Sequence, residues 1–247
     1  MKKLIIIISA VLILFIAYLV VVNYTIYQRI SKVGLTMPDT QGEYIIDNQQ
    51  KEQARFGYSA LGDSLTAGVG VASYKDSFPF KLAQKLAVNH GSVVLYDRAY
   101  PGARTSDLLK NLLPAAIKDQ PAIITLLIGV NDIHGRVSKI EFAKNYAEIL
   151  GQLKTKTRAK IFAISIPYLG TDSLLWPPFN WYFKDQTIAY NKIIKKLAAE
   201  NNIQYIDLYT PTAEMFKNPV WVATDLFHPS AKGYNLWTEI IYANFNN

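Results

Sequence analysis

The chain has 247 residues, no cysteine, a formal net charge of +7 and a hydrophobic content of 50%. That length suits one α/β domain with an appendage, and the missing cysteines exclude disulfides and thiolate metal sites. Lys and Arg are scattered, with Lys195-Lys196 the only adjacent pair beyond the N-terminus, and no basic stripe is interleaved with aromatics. This charge pattern argues against a nucleic-acid partner and leaves a mild attraction to anionic lipid or wall polymer.

The first predicted element is the apolar run at residues 4–22, LIIIISAVLILFIAYLVVV, which contains no charge. As a helix it spans about 28 Å, close to the hydrocarbon thickness of a bilayer. A cleaved signal peptide is the competing reading, but its apolar stretch is shorter and a small-x-small site should follow. Val22-Asn23-Tyr24 offers no such site, so an uncleaved single-pass anchor is expected, and the absence of cysteine excludes a lipoprotein anchor. Lys2 and Lys3 ahead of the run favour a cytoplasmic N-terminus (residues 1–3), which places the rest of the chain outside the cytoplasm.

Residues 23–54 have mixed polarity and are expected to form a juxtamembrane linker with a short strand at 43–46. Residues 55–247 then read as one α/β domain. Residues 58–61 lead into a turn at Gly62, and 77–89 carry helical spacing at Phe80, Leu82, Ala83, Leu86 and Ala87. A strand at 93–96 and a helix at 106–117 follow. The continuous apolar run AIITLLI at 122–128 fits a strand covered on both faces. A helix at 140–154, a strand at 160–166, a helix at 185–200, a strand at 204–208 and a closing helix at 230–245 complete the pattern. Strands alternating with helices imply right-handed crossovers and a mostly parallel sheet. In such sheets ligands sit beyond the carboxyl ends of the strands.

The chemistry-bearing residues lie at those positions. Ser64 follows a predicted strand; alone it would be read as a helix N-cap, and a serine hydroxyl needs a base to become a nucleophile. His228 is the best base of the three histidines, since His90 ends a helix beside Gly91 and reads as a surface residue. Asp225, three residues earlier, can reach the imidazole and fix its tautomer. Gly102 can turn a backbone N–H toward a cleft, and Asn131 ends the most apolar strand with an amide able to donate to an oxyanion. Taken singly, Gly102 is a turn glycine and Asn131 an Asx-turn residue. Asp63 and Asp132 are expected to brace their loops. Gly68-Val69-Gly70 suggests a nucleotide loop, but Ser73 stands where the third glycine belongs.

Together, Gly62-Asp63-Ser64-Leu65, Gly102, Gly129-Val130-Asn131-Asp132 and Asp225-Leu226-Phe227-His228 resemble the SGNH (GDSL-type) esterase/lipase superfamily over about residues 55–247. The resemblance implies a flavodoxin-like three-layer α/β/α sandwich with a parallel sheet of about five strands, here preceded by one transmembrane helix. It implies Ser64 as nucleophile with His228 and Asp225. The implied oxyanion donors are the N–H groups of Ser64 and Gly102 and the side chain of Asn131. It implies acyl transfer on carboxylic esters, lipid acyl esters or O-acyl groups of envelope glycans, with no metal or organic cofactor. An O-acyltransferase with a sugar hydroxyl as acceptor would use the same residues, and a non-catalytic binding domain could share the fold. For the substrate, His134 is expected to line the cleft. The aromatic stretch at 174–183, with Trp176, Phe179 and Trp181, is expected to form an acyl-binding wall, dip into the bilayer, or fold back as a small core.

Overall fold

The computed structural model describes residues 1–32, 36–40, 42–47, 55–168, 174–215 and 218–245. Six strands, β1 (Glu43–Asp47), β2 (Phe56–Gly62), β3 (Ser92–Ala99), β4 (Ile123–Leu127), β5 (Lys160–Ile164) and β6 (Gln204–Ile206), form one sheet in the order β1-β3-β2-β4-β5-β6. Five of them are parallel, and β1, from the expected linker, adds antiparallel to the edge strand β3. The sheet is therefore mixed, with the expected five-stranded parallel part intact.

The helices are α1 (Lys2–Lys32), α2 (Phe78–His90), α3 (Thr105–Asp107), α4 (Leu113–Lys118), α5 (Val130–His134), α6 (Lys139–Lys156), α7 (Phe179–Glu200), α8 (Tyr209–Met215) and α9 (Ala231–Ala243). Helices α2 and α9 pack together on one face of the sheet, while α4, α6 and α7 cover the other. Every residue of β4 is buried, as a strand sandwiched between helix layers must be. Trp237 of α9 and Phe78 of α2 meet over one face, and the rings of Phe142 of α6 and Tyr190 of α7 meet at a tilt over the other. Serine side chains at Ser77, Ser138 and Ser230 accept N–H groups in the first turns of α2, α6 and α9.

Several elements differ from the sequence expectation for local reasons. The helix expected at 106–117 is broken into α3, a wider π turn at Leu108–Leu112, and α4. Pro114 has no N–H to donate into the preceding turn, and the hydrogen-bond ladder shifts register there. Helix α7 starts at Phe179 rather than 185. Strand β6 stops at Ile206 because Asp207 caps the start of α8, accepting from the Thr210 N–H at 3.1 Å and its hydroxyl at 2.6 Å.

Helix α1 does not end at Val22 but continues to Lys32. Its apolar side chains from Leu4 to Ile16 are exposed, and the stretch Lys2–Gln28 is long and apolar enough to cross a membrane. Farther along, Val22 is buried, and the Tyr18 hydroxyl donates to the Pro177 carbonyl at 2.9 Å. The chain after α1 also docks on the domain, since Thr36 O accepts the Gly70 N–H at 2.9 Å.

Candidate active site

With β2 in the centre, β3 lies on one side of it and β4 on the other, so the chain reverses its direction of winding between β2 and β4. Crevices form at such reversals, beyond the carboxyl ends of the strands. Ser64 lies two residues after the end of β2, and Asn131 sits at the start of α5, just beyond β4.

Gly62 ends β2 because no side chain fits there. A Cβ at Gly62 would stand 2.5 Å from the Leu127 carbonyl and 2.1 Å from the Thr66 hydroxyl. The following turn is tied by the Thr66 and Ala67 N–H groups donating to Asp63 O, and by the Leu65 N–H donating to Asp63 Oδ1 at 3.0 Å. Gly102 is needed for a different reason from the one expected. Space around it is open, but its φ of +86° lies in the left-handed region that glycine adopts without strain.

His228 arrives from 164 positions downstream and accepts the Ser64 Oγ–H on Nε2 at 2.9 Å. Its Nδ1–H donates to Asp225 Oδ2 at 2.6 Å, which fixes Nε2 as the acceptor. Asp225 Oδ1 accepts the N–H groups of Phe227 and His228, both at 2.9 Å. Burial alone would push the Asp225 carboxyl up; the hydrogen bond and charge of His228 and these two N–H groups outweigh burial and hold it below the usual carboxylate range. The carboxylate is thus ionised and locked in place.

Two backbone N–H groups, those of Ser64 and Gly102, donate no hydrogen bond among the described residues. The Asn131 side-chain amide spends one hydrogen on the Ala103 carbonyl at 3.0 Å, which orients it and leaves the other hydrogen for the cleft. Asp132 is the brace expected from the sequence. Its carboxylate accepts the Thr105 N–H at 3.0 Å and the Thr105 hydroxyl at 2.5 Å, tying the Gly102 loop to α5. Thr105 carried no signal in the sequence, because a threonine at a helix start has many ordinary uses.

Ser64, Gly102, Asn131, Asp225 and His228 all line one cavity of about 320 Å³, together with His134, Pro101, Phe227, Leu174 and Leu175. The His134 ring meets Phe183 edge-on at 4.9 Å and Phe227 at a tilt at 5.5 Å. Burial, and then the charge of His228, push its pKa down to about 4, so it is a neutral wall at pH 7. Trp176, Phe179 and Trp181 do not line this cavity; Leu174 and Leu175, just before them, do. Trp176 and Trp181 are instead 40% and 61% exposed. His90, outside the cavity, stacks on Phe56. Among the described residues no group of His, Asp or Glu is arranged to hold a metal ion.

Residues 60–236 match the GDSL-like Lipase/Acylhydrolase family. The chain belongs to that family. It is accordingly an ester-hydrolysing serine hydrolase, and the residues that resembled the family in the sequence lie inside the matched stretch. Among curated relatives, the spore germination lipase LipC of Bacillus licheniformis is 27% identical over 206 residues, covering 75% of this chain and 94% of that lipase. Among solved structures, the acetylxylan esterase Axe2 of Geobacillus stearothermophilus superposes with a TM-score of 0.63 at 18% identity, covering 76% of this chain and 93% of Axe2. A lipase/acylhydrolase from Enterococcus faecalis gives 0.62 at 22% identity, covering 76% and 94% of the two chains. At these identities the structural likeness speaks for the fold, which this GDSL-like chain shares with both.

Proposed function

We propose that the chain is a membrane-anchored esterase or lipase in which Ser64 is the nucleophile, His228 the base and Asp225 the residue that orients it. The unbroken hydrogen-bonded relay from Ser64 Oγ through His228 to Asp225, opening on one cavity, is the observation that carries this reading. Ser64 Oγ attacks the ester carbonyl while its proton passes to His228 Nε2. The resulting oxyanion is met by the N–H groups of Ser64 and Gly102 and by the free amide hydrogen of Asn131. Collapse breaks the bond to the alcohol, which leaves with the proton from His228. A water then gives its proton to His228 and attacks the acyl-enzyme, releasing the carboxylic acid and restoring Ser64.

The anchor reading places residues 4–22 in the bilayer with the N-terminus cytoplasmic and the catalytic part outside. The exposed apolar surface of α1 and the preceding Lys2 and Lys3 support it. A fluorophosphonate probe tests the chemistry. The wild-type chain should be labelled and Ser64→Ala should not; equal labelling of both would remove Ser64 as nucleophile.

A further inference from the structure

The segment from Leu174 to Tyr182 joins the cavity to the apolar helix. Leu174 and Leu175 are buried walls of the cavity, while the Pro177 carbonyl accepts the Tyr18 hydroxyl of α1. Pro177 lies two positions after Leu175, a span of at most about 7 Å along the chain. The cavity wall is therefore almost in contact with the apolar helix. Tyr18 lies four residues before Val22, the last residue of the apolar run, which is about 6 Å along the helix axis toward the bilayer. Side chains on a helix lean toward its N-terminus, so the Tyr18 hydroxyl, and Pro177 with it, sit at least that deep.

Around Pro177 the chain presents Trp176, Trp181 and Tyr182 to the outside, 40%, 61% and 40% exposed. Large aromatics with a polar edge favour the membrane interface, where amphipathic segments bury their apolar face about 5–10 Å into the headgroup/acyl boundary. Depth and composition thus agree on one occupant for this surface.

We propose that residues 174–182 are seated in the leaflet on the catalytic side, beside α1, so that the cavity opens at lipid level and takes its acyl group from a bilayer lipid ester rather than from a soluble glycan. This rests on the esterase reading of Ser64 and narrows its substrate. A lipid ester with its acyl chains in the leaflet would pass Trp176 and Trp181 and lay one chain against Leu174, Leu175 and Phe227, with its carbonyl beside Ser64.

The full-length chain is reconstituted in phosphatidylglycerol/phosphatidylethanolamine vesicles whose acyl chains carry bromine either near the headgroup or near the terminal methyl. Bromine near the headgroup should cut tryptophan emission roughly twofold and terminal bromine far less, as interfacial tryptophans require. The quenching should disappear in Trp176→Phe/Trp181→Phe, which keeps only Trp221 and Trp237. In parallel, Trp176→Ser/Trp181→Ser should lower hydrolysis of vesicle phospholipid about tenfold and change hydrolysis of a soluble acetate ester by less than about twofold. Unquenched tryptophans with ester hydrolysis intact overturn the seating and leave the esterase reading in place. Quenching without hydrolysis of any ester overturns the esterase reading and leaves the seating in place. Ready disulfide cross-linking of two chains through Trp181→Cys, in a protein with no other cysteine, would assign the surface to a second copy and overturn the proposal.

Discussion

The polar rim of the cavity and its apolar wall line the same space but differ in chemistry. The rim, from Ser64 through Gly102 to Asn131, is fastened to the ends of buried strands by hydrogen bonds. Asp63 braces the Ser64 turn, Asp132 holds Thr105, and Asp225 holds the backbone of its own loop. The wall, Leu174 and Leu175, is buried and apolar, and it belongs to a segment whose Pro177 carbonyl accepts the Tyr18 hydroxyl of α1. Directional bonds hold atoms to the tenths of an ångström that bond making needs, whereas an apolar wall needs only shape. The division suggests that the reaction is a property of the sheet and the choice of ester a property of the segment.

Substitutions on the two sides should separate accordingly. On the rim, Asp225→Asn should lower kcat on the order of 10⁴-fold, because the amide favours the wrong His228 tautomer. An intact rate would remove Asp225 from the relay. Asn131→Ala should cost about 10²–10³-fold in kcat with a small change in KM, as expected for a donor used only in the transition state. A KM effect alone would make Asn131 a ground-state contact. On the wall, Leu175→Trp should fill part of the cavity and reduce kcat/KM on long-chain esters by about tenfold, with acetate esters nearly unaffected. Equal loss on both ester classes would show that the wall positions the rim as well.

The smallest effect concerns stability. Burial, with the nearby Asp132 charge adding, pushes the Asp63 carboxyl up to about 7, although the Leu65 N–H pulls the other way. In the unfolded chain that carboxyl titrates near 3.8. Asp63 therefore contributes stability that is complete below about pH 3.8 and is lost as pH rises through about 7. Asp97, also pushed up to about 7 by burial, acts in the same sense. His134, whose pKa drops from 6.5 to about 4, acts in the opposite sense, adding stability as pH rises across that interval. Asp63→Asn should therefore raise Tm at pH 8 relative to wild type by more than at pH 5. The same change at both pH values would show that Asp63 does not titrate in this range.

How much could be read beforehand depended on the residue type. Ser64 and Asn131 each have an ordinary use taken singly, so it is the order of Ser64, Asn131, Asp225 and His228 along the chain that is informative. Leu174 and Leu175 fall within the stretch expected to form a wall, but nothing in the sequence singles them out, because a leucine in a loop looks the same whether it lines a cavity or fills a core. The neighbouring tryptophans drew attention through size, yet the cavity is lined by the leucines. Strand β1 was expected, but not its antiparallel pairing, since pairing direction depends on where the partner edge lies.

By itself the sequence determined the family, the alternating α/β pattern, the polar residues of the rim and an apolar helix long enough to cross a membrane. These follow from side-chain chemistry and short-range periodicity, which are local properties. Only the tertiary structure decided that Ser64 and His228 stand 2.9 Å apart, that Leu175 rather than Trp176 lines the cavity, and that Tyr18 reaches Pro177. Each of those contacts joins or selects residues by the direction a side chain takes in the packed fold. The Tyr18–Pro177 bond spans 159 positions, and no local pattern encodes a distance across that interval.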